Sequence, residues 1–256
     1  SDQALRPGDD IRACSTGRDR SPEMVRGHRV TLIRETGPRR GRGATCNPDG
    51  RFATQRTEAA DDGWSEPAAA PTQLPTIIVG QTARSIIARN DSPDVPFEQS
   101  VNPYQGCEHG CVYCYARPSH AYLNLSPGLD FETRIFAKTN AAELLREELA
   151  ARAYRCSPIA LGANTDPYQP AERQQRITRA VIEVLADCRH PFTITTKGAL
   201  IERDLDLIAP AAAQGLARVF ISVPQLDPQL ARRLEPRASA PARRIETIRR
   251  LAAAGI

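Results

Sequence analysis

Lysine is almost missing from this sequence. Of 34 basic residues only two, Lys138 and Lys197, are lysines; the other 32 are arginines. A residue type this scarce merits attention wherever it falls beside other reactive groups. The formal net charge of +4 is too small to argue by itself for a nucleic-acid partner. Methionine and tryptophan occur once each, at Met24 and Trp64. No apolar run approaches the roughly 18 residues a membrane-crossing helix needs, and the first residues do not read as a basic-then-apolar leader. A membrane protein is therefore not expected. At 41% hydrophobic and 25% charged, the 256 residues have the composition of a globular protein with enough chain for a sizeable core. A glycine-rich dinucleotide fingerprint is also lacking after the first strand of the pattern below.

What is present is crowding of cysteine. Seven occur, at 14, 46, 107, 111, 114, 156 and 188, and three of them lie within the stretch NPYQGCEHGCVYCYARPSH at 102–120. An odd number with three in one loop points to a metal or cofactor site in a reducing compartment, hence a cytoplasmic protein.

Two textures divide the chain. Residues 1–75 are rich in Arg, Gly, Pro, Asp and Ser, with little hydrophobic periodicity beyond RVTLI at 29–33, and read as a mostly disordered arm. Its arginines between Arg34 and Arg56 are of a kind that touches phosphates, although a solvated tail explains them as well. Residues 76–256 alternate. PIALGA (158–163) reads as a buried strand, FTITT (192–196) and RVFISV (218–223) as further strands, and FEQSV (97–101) is taken as the strand before the cysteine loop. NAAELLREELAARA (140–153), RITRAVIEVLADC (176–188), LIERDLDLIAPAAAQG (200–215) and PARRIETIRRLAAAGI (241–256) carry helical spacing. A Glu148–Arg152 pair is expected at i,i+4 on the first of these helices. Strand and helix in strict alternation imply βα units on a parallel sheet, either barrel-like or doubly wound. Four such units are counted, and the sequence stops directly after the fourth, which suggests a fragment cut on its C-terminal side. The fourth strand then has an open edge, and poor solubility is expected.

In such folds the working groups gather where the strands end. The first strand leads to Cys107, Cys111 and Cys114; the second to Asn164, Thr165, Asp166 and Glu172; the third to Thr196 and Lys197; the fourth contains Ser222. Thiolates select zinc, copper(I) or iron–sulfur clusters. A closed zinc site wants a fourth ligand, for which His109 and His120 are nearest. A [4Fe–4S] cluster on three thiolates leaves one iron open for a small molecule. Spacing leaves both readings available. A zinc-stabilised nucleic-acid-binding module without catalysis is the alternative from a different class.

The CxxxCxxC spacing, with Tyr113 just before the last cysteine and its place after the first strand of a βα series, resembles the radical S-adenosylmethionine superfamily. NPYQGCEHGCVYCYARPSH, NTDPYQPAE, TTKGALIERDLDLI, VFISVPQLD and even RRGRGATCNPDGRF (39–52) resemble a narrower bacterial group labelled DNA repair photolyase-like, related to spore photoproduct lyase. The resemblance implies an α/β fold, a partial (β/α)6 TIM-like barrel, here cut short after its fourth βα unit. It implies a [4Fe–4S] cluster on Cys107, Cys111 and Cys114, with S-adenosyl-L-methionine on the open iron. It implies lyase or oxidoreductase radical chemistry, a flavodoxin- or ferredoxin-type electron donor, and nucleic acid as a candidate substrate. Carried over by position, Tyr113 would flank the adenine. Thr165 and Asp166 stand where many members have Gly-Gly-Glu for the methionyl amine, and Lys197 and Ser222 match polar cofactor contacts. The lyase returns hydrogen through a cysteine near the end of its second strand. Ala163 occupies that place here, while Cys156 precedes the strand and is expected at the opposite end of the barrel.

Overall fold

The structure, a computed structural model, describes residues 39–52 and 73–256. The rest of the expected arm, 1–38 and 53–72, lies outside the described residues. The four expected strands all form: β3 (Gln99–Val101), β6 (Ile159–Leu161), β7 (Phe192–Thr196) and β8 (Ala217–Ile221). They lie side by side and parallel in that order, with β2 (Ile87–Arg89) antiparallel on the outer side of β3. One rung runs Val101, Leu161, Ile194, Val219. Its first three side chains are at most 1% exposed. β6 is buried along its whole length, as expected for a strand covered on both faces.

A second, three-stranded sheet flanks the first. Its centre is β5 (Arg134–Lys138), with β1 (Ile77–Gln81) parallel and β4 (Tyr104–Gln105) antiparallel to it. β5 follows a short helix, α1 (Leu129–Thr133). The fold is mixed α/β, with helices returning the chain between parallel strands.

The helices bury the faces their spacing predicted. α2 (Ala141–Ala150) turns Ala141 and Leu145 inward, with Leu144 and Leu149 at the margin. After the one-turn α3 (Glu172–Gln175), α4 (Ile177–Asp187) presents Ile177, Val181, Ile182, Val184 and Leu185 to the core. A 3-10 turn (Ala199–Asp204) runs into α5 (Leu205–Ala213), which ends before Gly215 at φ 73°. α6 (Pro228–Leu234) is capped by Asp227, whose carboxylate accepts from the Gln229 and Leu230 amides. α7 (Pro241–Ala253) closes the order.

The expected Glu148–Arg152 pair gives way to a different use of Glu148. α2 ends at Ala150, and the Glu148 carboxylate accepts from the backbone N–H of Ile86 at 2.7 Å and Ile87 at 3.0 Å. Two backbone donors at the start of an edge strand are a better match for a carboxylate than one exposed guanidinium, whose surface pairing is worth little.

Glu202 ties the 3-10 turn to α7. Its oxygens accept from Arg243 at 2.5 and 2.8 Å, Thr247 at 2.7 Å and Arg250 at 2.9 Å. The hydrogen bond from Arg243 leads the causes that bring its pKa down to about 2, against a smaller opposing effect of burial. A carboxylate with a depressed folded-state pKa contributes stability that is present above about pH 4.5 and lost as pH falls towards 2. Glu202→Gln is therefore expected to flatten the acid limb of the unfolding midpoint between those values. An acid limb identical to that of the unsubstituted protein would contradict this role.

β8 is an edge of its sheet among the described residues, and Phe220 on it is 48% exposed. An open, partly apolar edge favours self-association, so the isolated chain is expected to elute in gel filtration as more than a monomer. No helix among the described residues is long and apolar enough to cross a membrane.

Candidate metal centre

The parallel strands deliver their C-terminal ends to one rim, and the cysteine loop lies across it. The loop turns at Gly106 (φ 83°) and Gly110 (φ 66°). Any side chain would be excluded at both. A Cβ on Gly106 would stand 2.9 Å from His120 Cε1 and from Phe131 O; one on Gly110 would stand 2.7 Å from Glu132 Oε2. Cys107 is buried, with Cys111 and Cys114 half-buried. Cys107 and Cys114 share a small apolar cluster with Ala116 and Phe131.

The charge environment of the thiols is uneven. Burial pushes the Cys107 thiol well up, and Asp166 and Cys111 push it further, against backbone N–H donors from Asp166 and His109. Burial pushes Cys111 up to about 12, with Lys197 pulling the other way. Such thiols are neutral until a cation takes the proton's place, as ligation by iron or zinc does.

Gln169, 0% exposed, holds the loop to the strand rim from both sides: Oε1 accepts from Glu108 N at 2.9 Å and Nε2 donates to Gly106 O at 3.1 Å. Thr165 donates its hydroxyl to Tyr104 O at 3.0 Å and is likewise buried. Asp166 is fully engaged. Oδ1 accepts from Thr196 Oγ1 at 2.6 Å and Tyr168 N at 2.9 Å, and Oδ2 accepts from Lys197 N at 2.7 Å. His109 Nδ1 lies 3.2 Å from Oδ2, an ion-pair separation without the alignment of a hydrogen bond. Burial works to raise the Asp166 pKa, but His109 and these donors prevail and bring it down to about 2. Neither Thr165 nor Asp166, both expected as cofactor contacts, has a polar atom left open.

Lys197 and Tyr113 do come together, around a residue that sequence reasoning missed, and Ser222 is linked to that residue only through its backbone carbonyl. Glu235 is 3% exposed and stands just past α6. Its Oε1 accepts from the Tyr113 hydroxyl and lies 4.0 Å from Lys197 Nζ; its Oε2 pairs with Arg244 of α7. Lys197 Nζ sits 5.9 Å from the centroid of the Tyr113 ring. Arg244, also buried, donates to Ser222 O at 2.8 Å and Ser239 O at 2.7 Å. Tyr113 itself remains 46% exposed and Tyr115 76%, the latter donating its hydroxyl to Ala163 O. Nothing in EPRASAPARRIE marked Glu235 or Arg244: one reads as a turn residue before proline, the other as one of several helix arginines.

Cys156 lies at the other end of the sheet, exposed, three residues before β6 and with its sulfur 3.6 Å from His190 Nε2.

The residues present fit a three-thiolate cluster. Three sulfurs come from one loop, glycines leave room where it turns, and two backbone N–H groups favour thiolate at Cys107. Among the described residues, no three His, Cys, Asp or Glu side chains converge as they would about a single metal ion. Of the two histidines nearest in sequence, His109 has Nδ1 beside Asp166 Oδ2 at 3.2 Å, and His120 has Nε2 on Arg134 O at 3.0 Å with its ring edge-on to Phe131. His120 Nδ1 is buried without a hydrogen-bond partner.

The class defined by this fold and loop is that of an α/β protein with three cysteines in one loop at the C-terminal rim of parallel strands. The radical SAM superfamily model matches residues 101–256, and the chain belongs to that superfamily. It is similar to an uncharacterised protein of Mycobacterium bovis, at 45% identity over 162 residues, covering 63% of this chain and 48% of the relative. An uncharacterised protein of Methanocaldococcus jannaschii is 26% identical over 156 residues, covering 61% of this chain and 56% of the relative. The chain thus spans about half the length of the curated relatives it matches. Among solved structures, a spore photoproduct lyase mutant superposes with a TM-score of 0.49 at 19% identity, covering 70% of this chain and 48% of that one. Spore photoproduct lyase complexed with dinucleoside spore photoproduct gives 0.47 at 18%, with the same coverage.

Proposed function

We propose that this chain carries the core of a radical S-adenosylmethionine enzyme, with Cys107, Cys111 and Cys114 as the three protein ligands of a [4Fe–4S] cluster. The observation that carries this reading is the placement of the three-thiol loop on the rim where β3, β6 and β7 end, within the stretch the superfamily model matches. When bound, cluster and S-adenosylmethionine supply one-electron cleavage of the sulfonium, giving a 5′-deoxyadenosyl radical that takes hydrogen from a substrate.

The chain's own residues bind and orient. Tyr113, half-exposed beside the second and third cysteines, offers a ring for the adenine. Lys197, close to Cys111 and Glu235, brings a cation for the cofactor carboxylate or a ribose oxygen. Ser222 lies within reach through the Arg244–Glu235 link. Thr165 and Asp166 enter as positioning residues, because their polar atoms are already taken within the protein. The four βα units form part of a partial six-fold barrel, and the reducing cytoplasm with a flavodoxin- or ferredoxin-type donor suits a cluster with an open iron.

For the substrate we propose a nucleic-acid base, with lyase-type repair as the reaction class. The support is a run of exposed rings on and beside the cysteine loop: Tyr115, Tyr122 at 75% exposure, and Phe52 tilted against Tyr122 with centroids 5.2 Å apart. Arg40 and Arg51 are exposed on the same segment as Phe52. Stacking rings with arginines alongside are what single-stranded bases bind.

The test is anaerobic. The full-length protein is reconstituted with iron and sulfide, then given dithionite, S-adenosylmethionine and single-stranded DNA. Formation of 5′-deoxyadenosine supports the radical reading, and an increase on adding DNA supports the substrate class. A colourless protein with about one tightly bound zinc per chain would replace both with a structural clasp.

A further inference from the structure

Residues 39–48 lie outside the matched superfamily stretch, yet they grip the cysteine loop at two points. At the first, the Gly43 and Ala44 amides donate to the Glu132 carboxylate at 2.9 and 2.8 Å. Glu132 is 0% exposed and also receives Arg117 Nη2 at 2.6 Å. Arg117 in turn donates twice to the carbonyl of Cys111, from Nε at 3.2 Å and Nη2 at 2.9 Å. Its Nη1 reaches Pro127 O and Gly128 O at 3.3 and 3.2 Å. The path from segment to Cys111 is thus three hydrogen-bonded steps with no water needed.

At the second point Arg42, 7% exposed, donates to Glu132 O at 2.7 Å and to Thr76 Oγ1 at 2.9 Å. Thr76 donates to the Glu108 carboxylate at 2.7 Å, and Glu108 directly follows Cys107. The segment also lies against the loop itself, since a Cβ on Gly43 would stand 1.9 Å from Gly110 O. Leu129 N donates to Cys46 O at 3.1 Å and Ser126 Oγ to Pro48 O at 2.6 Å, which fixes the segment's other end.

We infer that residues 39–48 are a positioning strap for the cluster site. They brace the peptide groups around Cys107 and Cys111 through Glu132, Arg117 and Glu108, so that the three sulfurs are held for ligation. The inference rests on the cluster reading above. Support of ligands by hydrogen-bonded neighbours is worth about 10- to 100-fold in metal retention where it has been removed.

Gly43→Ala isolates the contact, because the added methyl meets Gly110 O and nothing of the barrel core. Gly50→Ala is the control: its Cβ would find only ordinary contacts, the nearest being Leu125 O at 3.5 Å. Each protein is reconstituted anaerobically, and iron release to an excess of chelator is followed by visible absorbance, alongside the thermal melt of the iron-free protein. Gly43→Ala is expected to lose iron about tenfold faster than the parent, with an altered electron paramagnetic resonance spectrum, and Gly50→Ala to match the parent. Should Gly43→Ala fail to fold, Arg117→Lys decides, since it keeps a cation beside Glu132 but drops the double contact to Cys111 O. Parental rates and spectra in whichever of the two folds would overturn the strap alone. An unsubstituted protein that takes up no iron would remove the cluster reading and the strap with it.

Discussion

Replacing Cys111 by Ala is expected to bring 5′-deoxyadenosine formation down to the level of an enzyme-free control, and Cys107→Ala and Cys114→Ala to do the same. In the proposed site each thiolate is one of three protein ligands. Cys156 and Cys188 are exposed, and Cys156 lies at the far end of the sheet beside His190. Iron per chain, about four when a cluster is loaded, should fall sharply in all three variants. Cys156→Ala and Cys188→Ala should leave both readouts at parental values. If Cys156→Ala removed the activity while iron stayed bound, the placement of that residue away from the rim would be refuted. Melting of the iron-free variants separates these effects from misfolding, since the loop thiols contribute little to the main core.

Glu235→Ala is expected to be the most destabilising single change outside the hydrophobic core. Its partner Arg244 is 2% exposed and would be left as a buried charge without a counterion. Breaking such a pair costs about 3–5 kcal/mol. For a chain of this size that lowers the melting temperature by roughly 10 °C. The double variant Glu235→Leu with Arg244→Met removes both charges and should recover most of the loss, because a well-packed apolar pair avoids the desolvation cost altogether. It should not recover S-adenosylmethionine binding, since Tyr113 and Lys197 lose the carboxylate that lies between them. A Glu235→Ala protein that melts within about 2 °C of the parent would show that the buried pair is not what joins α6, α7 and the cysteine loop.

The two changes bear on different parts of the site. In the proposed site the cysteines would supply the donor atoms, while Glu235 holds Tyr113 and stands beside Lys197. Both are separate from the strap, which acts on the loop from the opposite side through Glu132. Three supports, Gln169 from the strand rim, Glu132 of α1 bound by the strap, and Glu235 just past α6, therefore converge on one loop.

Much of the barrel-like half was legible in the sequence. An apolar run marked β6, a strand covered on both faces, β-branched and apolar residues marked β7 and β8, and β3 was placed by its position before the cysteine loop. Helical spacing marked α2, α4, α5 and α7. The misses have physical reasons. β5 is five residues long with a charge at each end, and follows a helix of five residues, so neither shows a period. α6 carries Arg232 and Arg233 and buries only Ala231, so it shows little apolar face. The stretch 39–52 was grouped with an arm because it holds few apolar residues. Its order comes from backbone N–H groups reaching Glu132 some 90 residues away, which hydrophobicity cannot register.

For the site the division is similar. The three ligand candidates are legible because they are contiguous: a loop of eight residues carries its own chemistry in its spacing. Lys197 stood out by rarity, and the structure brings it to Tyr113. Thr165 and Asp166 were expected as cofactor contacts, and only the tertiary structure shows their polar atoms turned to the loop and strands. Glu132, Arg117, Gln169, Glu235 and Arg244 acquire meaning only through partners remote in sequence. The sequence by itself determined the crowding of three cysteines, the parallel order of the strands and the rim where they meet, because these follow from local spacing and periodicity. Tertiary structure alone decided which buried charges face one another, because the desolvation that makes such pairs consequential exists only once distant segments have closed over them.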